Sequence, residues 1–170
     1  MTATTPPHTV YLALGSNLGD RRVNLAAAVA RLPPVVAVER ISQLYETEPA
    51  YVTDQPRFLN AVLHGATDLP PEELLAWIKR LERELGRQSG LRFGPRLIDI
   101  DILLYDALTL SSPALTIPHP RMAERPFVLV PLAEIAPALV PPGWNASVAD
   151  TARLAHTHGE IIAPTGTLDD

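Results

Sequence analysis

Asp99 and Asp101 stand two residues apart in an otherwise apolar run, Leu97-Ile98-Asp99-Ile100-Asp101-Ile102-Leu103-Leu104-Tyr105. With a period of two, Ile98, Ile100, Ile102 and Leu104 point to one face of a strand, and Leu97, Asp99, Asp101 and Leu103 to the other. A strand buried on both faces would carry Val, Ile or Leu at all these positions. The two acids break that pattern on one face only. Their Cα atoms would lie roughly 6–7 Å apart, close enough for both carboxylates to converge on divalent cations. Just upstream, Arg92-Phe93-Gly94-Pro95-Arg96 places two guanidiniums near the same end of the strand. Carboxylates, hard metal ions and guanidiniums in one place are the ingredients of polyphosphate chemistry. The plainer alternative is an amphipathic strand whose aspartates face water; the Gly-Pro turn and the strong apolar flanks favour a site.

Composition narrows the partners. The 170 residues, 46% hydrophobic, suffice for one well-buried domain. Residues 1–8 read as a loose tail, 9–160 as the domain and 161–170 as a frayed end. A net charge of -5 argues against nucleic acid as a partner. Thirteen arginines stand against the single Lys79, and the planar guanidinium suits bidentate phosphate recognition, although a biased genome gives the same skew. With no cysteine, thiolate metal sites, disulfides and a cysteine nucleophile are excluded. No apolar run reaches the ~18 residues of a membrane span, and the N-terminus lacks the basic and apolar parts of a signal peptide. A cytoplasmic monomer acting on small molecules, away from membranes, is the expectation.

The elements that must position the acids follow from periodicity. Thr9 to Gly15 reads as a central strand. Gly15-Ser16-Asn17-Leu18-Gly19-Asp20 is a turn without the Gly-Lys-Ser/Thr ending of a phosphate loop. Asp20 caps a helix through about Arg31, with Leu25, Val29 and Leu32 as its stripe. Val35 to Tyr45 is a bent or bulged strand, and Glu46 to Pro56 a proline-bounded loop. Phe58 to Gly65 is a strand on which Phe58, Asn60, Val62 and His64 share a face, Asn60 being either a partnered buried amide or a ligand contact. Asp68 to Leu85 is a helix with prolines at its start, a stripe of Leu74, Ile78, Leu81 and Leu85, and Gly86 as its stop. Glu82 borders that stripe. Beyond the acidic strand, His119 is fixed between prolines near Arg121 and Arg125, and Arg125 to Leu132 is core-like. The order strand, helix, strand, strand, helix, strand predicts an α+β ferredoxin-like sandwich. Its antiparallel sheet carries the helices on one face and the site on the other face and its loops.

From Tyr11 to about Val140 the chain resembles the 6-hydroxymethyl-7,8-dihydropterin pyrophosphokinases of folate biosynthesis. Five stretches carry the resemblance in order: YLALGSNLGD, YETEP with DQPRFLNAV, ELGR, RFGPRLIDIDILLY, and TIPHPRMAERPFVLVPLAEIAP. The resemblance implies transfer of pyrophosphate from ATP to the pterin's hydroxymethyl oxygen, with AMP released. It implies two magnesium ions on Asp99 and Asp101, with Asp101 drawing the substrate hydroxyl toward the metal. Arg87, Arg92 and Arg96 would stabilise charge on the transferred group. Lys79, Glu82 (on the ribose or in support), Arg92, Arg96, Ile102, Thr116, His119 and Arg125 would meet ATP, the backbone at Ile102 and Thr116 holding adenine. Phe58 and Phe127 would cover the two faces of the pterin, with Thr47, Pro49, Ala50 and Asn60 around its rim. Loops 46–55 and 86–93 would close over ATP, with Gly86 and Gly90 as hinges. The chain departs from the family pattern at Ser89 and Ala114, where basic residues are frequent, and at Phe93 and Pro120.

Two other readings share parts of this pattern. A different magnesium-dependent phospho- or nucleotidyl-transferase would keep the aspartates without the Thr47, Phe58, Asn60 and Phe127 set. A non-catalytic ferredoxin-like binding module would need exposed sheet aromatics and a basic surface.

Overall fold

The structure is a computed structural model that describes residues 7–86, 93–155 and 160–169. Its frame is β1 (His8–Ser16), α1 (Arg21–Arg31), β2 (Val36–Ile41), β3 (Tyr45–Thr47), β4 (Phe58–Thr67), α2 (Pro71–Glu84) and β5 (Asp99–Tyr105). Then follow a two-stranded ribbon, β6 (Leu110–Ser111) with β7 (Thr116–Ile117), the helices α3 (Pro126–Ile135) and α4 (Val148–Leu154), and β8 (Ile161–Pro164). The main sheet runs β5-β1-β4-β3-β8, with β2 also on β4, and every pairing is antiparallel. This is the ferredoxin-like order expected from the sequence. Among the described residues, no helix is long and apolar enough to cross a membrane.

The first face of the sheet is a continuous core. Val10, Leu12 and Leu14 of β1 meet Leu25, Ala28 and Leu32 from α1 and Leu74, Ile78 and Leu81 from α2. Asp20 caps α1 as its spacing predicts, accepting from the Val23 amide at 3.1 Å. Pro71 opens α2 with Glu72 and Glu73 in the first turn, favourable against the helix dipole.

The second face departs from expectation. The stretch Arg125 to Leu132, read as core-like, falls largely within the helix α3, which with α4 covers half of this face through Val128, Leu132 and Val148 against Val62 and Leu103. The helices therefore do not lie on one face alone. The remaining half, around Ala13, Gly15, Asn60, Asp99 and Asp101, stays open. A second correction concerns parity in β5. The register with β1 shifts between Tyr11 and Leu12, which pair with Leu104 and Ile102. The extra residue is a bulge, and it sends Leu104 to the second-face cluster and Tyr105 to the first. Asp99 and Asp101 precede the bulge and keep their alternation.

The single bent strand expected over residues 35–45 is two strands. Glu46 and Thr47, assigned to a loop, continue β3 and pair with Leu59 and Phe58. At the ends, His8 lies in β1 rather than in a tail, with its Nδ1 2.6 Å from Asp106 Oδ2. Residues expected to fray form β8 instead, its Ala163 opposite Glu46 of β3. Arg22 from α1 clasps that segment through the Thr165 and Thr167 carbonyls.

Gly65 shows how tightly β2 lies on β4. A Cβ there would stand 2.8 Å from the Ala37 carbonyl oxygen and 2.8 Å from Val36 Cγ1. Gly65→Ala is expected to destabilise the chain by about 1–3 kcal/mol, read from urea unfolding midpoints; an unchanged midpoint would show that β2 can slide away.

Candidate functional site

Sheet register assembles the floor of the site. Gly15 of β1 pairs with Asn60 on one side and Asp99 on the other, and Ala13 pairs with Asp101. Both β1 residues are small, so the two carboxylates and the amide stand on a flat strip rather than among larger side chains. Gly15 is obligatory in a measurable sense: a Cβ there would fall 2.5 Å from Asn60 Oδ1. Asn60 is buried, and its amide nitrogen donates to Thr47 Oγ1 at 2.7 Å. Of the two roles open to it, partnered amide or ligand contact, it holds the first while lining the cavity and so also keeps the second.

The cavity above this floor holds about 370 Å³, the size of a small-molecule site. Of the residues that the resemblance implies for the site, Asp99, Asp101, Thr47, Ala50, Phe58, Asn60, Phe127, Lys79, Arg96, His119 and Arg125 line it. Pro49, Glu82, Ile102 and Thr116 do not line it. Ile102 is buried in the first-face core, and Thr116 sits in the β6–β7 ribbon. Arg87 and Arg92, with Ser89 and Gly90, lie outside the described residues.

Glu82, expected on the ribose or in support, lies beneath the acidic strand. Its side chain is 1% exposed, with Oε2 accepting from the Ile100 amide at 3.0 Å and Oε1 3.3 Å from Lys79 Nζ. Ile100 lies between the two aspartates, and β5 is an edge strand of the sheet. Glu82 therefore satisfies an edge amide beneath the acidic pair, and holds a lysine that reaches the cavity. Of the two roles open to it, ribose contact and support, the structure gives it support.

Sequence reasoning missed the residues that join the loops. Asn17, buried in the turn after β1, donates to Gln55 Oε1 and the Pro56 carbonyl, each at 2.9 Å. Its Oδ1 accepts from the Arg96 amide at 2.7 Å, and its own amide donates to the Arg96 carbonyl at 3.0 Å. Gln55 in turn donates to the Phe93 carbonyl at 2.7 Å. Three chain segments thus meet on two amide side chains, and the only sequence signal was the asparagine in a glycine-flanked turn. Tyr51 was likewise passed over. Its ring packs on Phe93 with centroids 4.4 Å apart, under the guanidiniums of Arg121 and Arg125.

His119 is neutral at physiological pH. Burial, then the Arg125 and Arg121 charges, lower its pKa from the usual 6.5 to about 4. Its Nδ1 accepts from the Arg121 amide at 3.2 Å, so the neutral ring carries its proton on Nε2 and is a hydrogen-bond donor there.

The family model described as 7,8-dihydro-6-hydroxymethylpterin-pyrophosphokinase matches residues 11–137. The chain is 49% identical over 127 residues to 2-amino-4-hydroxy-6-hydroxymethyldihydropteridine pyrophosphokinase of Bacillus subtilis, covering 74% of this chain and 76% of that protein. It is 46% identical over 160 residues to a mitochondrial folate synthesis bifunctional protein of Arabidopsis thaliana, covering 94% of this chain. It spans 27% of the Arabidopsis protein's length, and about as little of the other plant relatives it matches. Among solved structures, Plasmodium falciparum HPPK-DHPS with pteroate superposes with a TM-score of 0.71 at 16% identity, over 91% of this chain and 43% of that one; this likeness bears on the fold.

Two outcomes follow from this geometry. Gly15→Ala is expected to shift the Asn60 amide off Thr47 Oγ1 while leaving the fold intact, because the added Cβ would stand 2.5 Å from Asn60 Oδ1; the Asn60 side-chain amide resonance and the far-UV spectrum read the two. For His119, the unfolded state binds more protons than the folded state between about pH 6.5 and 4, so stability falls as pH drops through that window. Urea midpoints from pH 7 downward should fall more steeply for the wild type than for His119→Gln; parallel curves would mean the imidazole does not titrate there.

Proposed function

Since the chain belongs to the 7,8-dihydro-6-hydroxymethylpterin-pyrophosphokinase family, we propose that it transfers the pyrophosphoryl group of ATP to the hydroxymethyl oxygen of 6-hydroxymethyl-7,8-dihydropterin. In that reaction the hydroxymethyl oxygen bonds to the β-phosphorus and the bond from β-phosphorus to the α,β-bridging oxygen breaks. AMP leaves with the bridging oxygen, and the hydroxyl proton goes to the carboxylate pair. The observation that carries this reading is a cavity where Asp99 and Asp101, four cationic side chains and the phenylalanines Phe58 and Phe127 meet around the buried Asn60 amide.

Each part has a physical role. Phe58 and Phe127 offer aromatic surface for a flat bicycle, and Asn60 with Thr47 offers polar groups at its rim. Lys79, Arg96, Arg121 and Arg125 supply positive charge for the triphosphate. Neutral His119 adds a donor without requiring a proton from solvent. Gln55 and Asn17 draw the 48–57 loop and the Phe93–Arg96 turn together, which shields the transfer from water.

The donor set fits magnesium. Asp99 and Asp101 supply hard oxygen ligands at the cavity wall, and among the described residues no group of three or more potential ligands gathers. Two carboxylates completed by phosphate oxygens and water are what magnesium prefers over an all-protein cage. When bound there, two magnesium ions would neutralise triphosphate charge as it develops.

A transferase of another kind would share the acids and arginines. The Thr47, Phe58, Asn60 and Phe127 set around one floor favours the pterin. The deciding assay mixes the protein, ATP, magnesium and hydroxymethyldihydropterin: pterin-dependent AMP is expected, and ADP, or AMP made without pterin, would overturn the proposal. Asp99→Ala and Asp101→Ala should each lower turnover by at least ~100-fold, with pterin binding largely kept.

A further inference from the structure

Tyr51 sits in the loop that leads from the heterocycle's rim, yet its side chain is engaged with arginines. Its hydroxyl accepts from Arg125 Nε at 3.0 Å and donates to Glu124 Oε1 at 3.0 Å. The guanidinium carbons of Arg121 and Arg125 each lie 5.3 Å from the centre of its ring. Arg125 also lies over the Phe127 ring, 5.5 Å from its centre, and is 8% exposed. Its backbone is extended and precedes Pro126, which restricts it further. Arg125 is therefore held at its backbone, at its Nε and by two aromatic rings beside its guanidinium. A long side chain normally loses rotamer freedom when it captures an anion; here most of that freedom is gone beforehand.

The chemical type of the partner matters. A carboxylate on Arg125 would fix it equally well but would cancel its charge and compete with phosphate. A tyrosine hydroxyl fixes the guanidinium while staying neutral, and donates its own hydrogen bond to Glu124, one hydrogen bond removed from the arginine.

We infer that Tyr51 is a positioning residue for the transfer reaction: it presets Arg125 for an oxygen of the transferred diphosphate and links that setting to closure of the 48–57 loop. The inference rests on the pyrophosphokinase reading for its substrate, and its test is separable from that reading.

The test measures binding of magnesium α,β-methylene-ATP, which cannot be cleaved at the transferred bond, by calorimetry on the full chain. Wild type, Tyr51→Phe, Arg125→Ala and the double variant are compared. Tyr51→Phe keeps the ring and removes the hydroxyl; affinity should fall about tenfold, with pterin affinity within about twofold of wild type. In the Arg125→Ala background the same change should cost nothing further. In turnover, Tyr51→Phe should raise KM for ATP while Tyr51→Leu, lacking the ring as well, loses more. Unchanged affinity in Tyr51→Phe, or an equal loss with and without Arg125, overturns the inference. A wild type that binds the analogue but makes no pterin-dependent AMP removes the function reading and leaves the coupling measurable; one that does not bind it overturns both.

Discussion

The position of Gly15 between Asn60 and Asp99 is the constraint on which the site depends. Among the described strands, β1 is the one that touches both the acidic strand and the strand of the buried amide. Whatever side chain it presents on that face decides how close the two carboxylates and the amide can be. Any residue larger than glycine would collide with Asn60 before a ligand arrived. The strand accepts a helix-and-strand-weakening glycine because its neighbours on the other face, Leu12 and Leu14, are completely buried or nearly so.

Loop closure follows the same economy. Part of the cavity wall comes from segments without regular structure, and backbone groups there need partners that a sheet cannot supply. Asn17 and Gln55 serve because an amide side chain both donates and accepts. One Asn17 side chain satisfies an arginine amide, a proline carbonyl and a glutamine together. Glu82 does the corresponding service from the helix side, satisfying an edge amide of β5. Ion pairs at the rim, Arg21 and Arg57 on Glu46, hold the Glu46 carboxyl below its usual range through the Arg21 hydrogen bond first; exposed as they are, such pairs add little stability.

Local pattern made much of this legible. Period-two alternation exposed the acids of β5, and cap and stripe residues located α1 and α2, because in each case the signal lies within a few residues of its cause. Legibility failed where the cause was distant. Leu104 and Tyr105 exchange faces through a bulge that depends on β1. Residues 126–135 carry no helical polarity, since α3 is apolar almost all round and holds Pro131 inside; its helix is imposed by packing on the sheet. Thr47 joined β3 because β4 and β8 flank it. Tyr51 looked like an ordinary loop residue because the arginines that engage it, Arg121 and Arg125, lie far away in sequence.

The two faces of the sheet divide stability from chemistry. On the first, the inward side chains from β1, α1 and α2 are apolar apart from Glu82 at the edge beside β5, and hydrophobic burial there carries the fold. On the second, α3 and α4 seal one half and leave the other to polar groups. A buried polar group is costly unless it is partnered, and here the partners line the same cavity: Thr47 for Asn60, Lys79 for Glu82, Tyr51 for Arg125. Satisfying the site's polar groups in the resting protein is thus the same act as orienting them. The apolar face lets the sheet tolerate that polar half, and the polar half needs no reorganisation of the apolar one to change its contents.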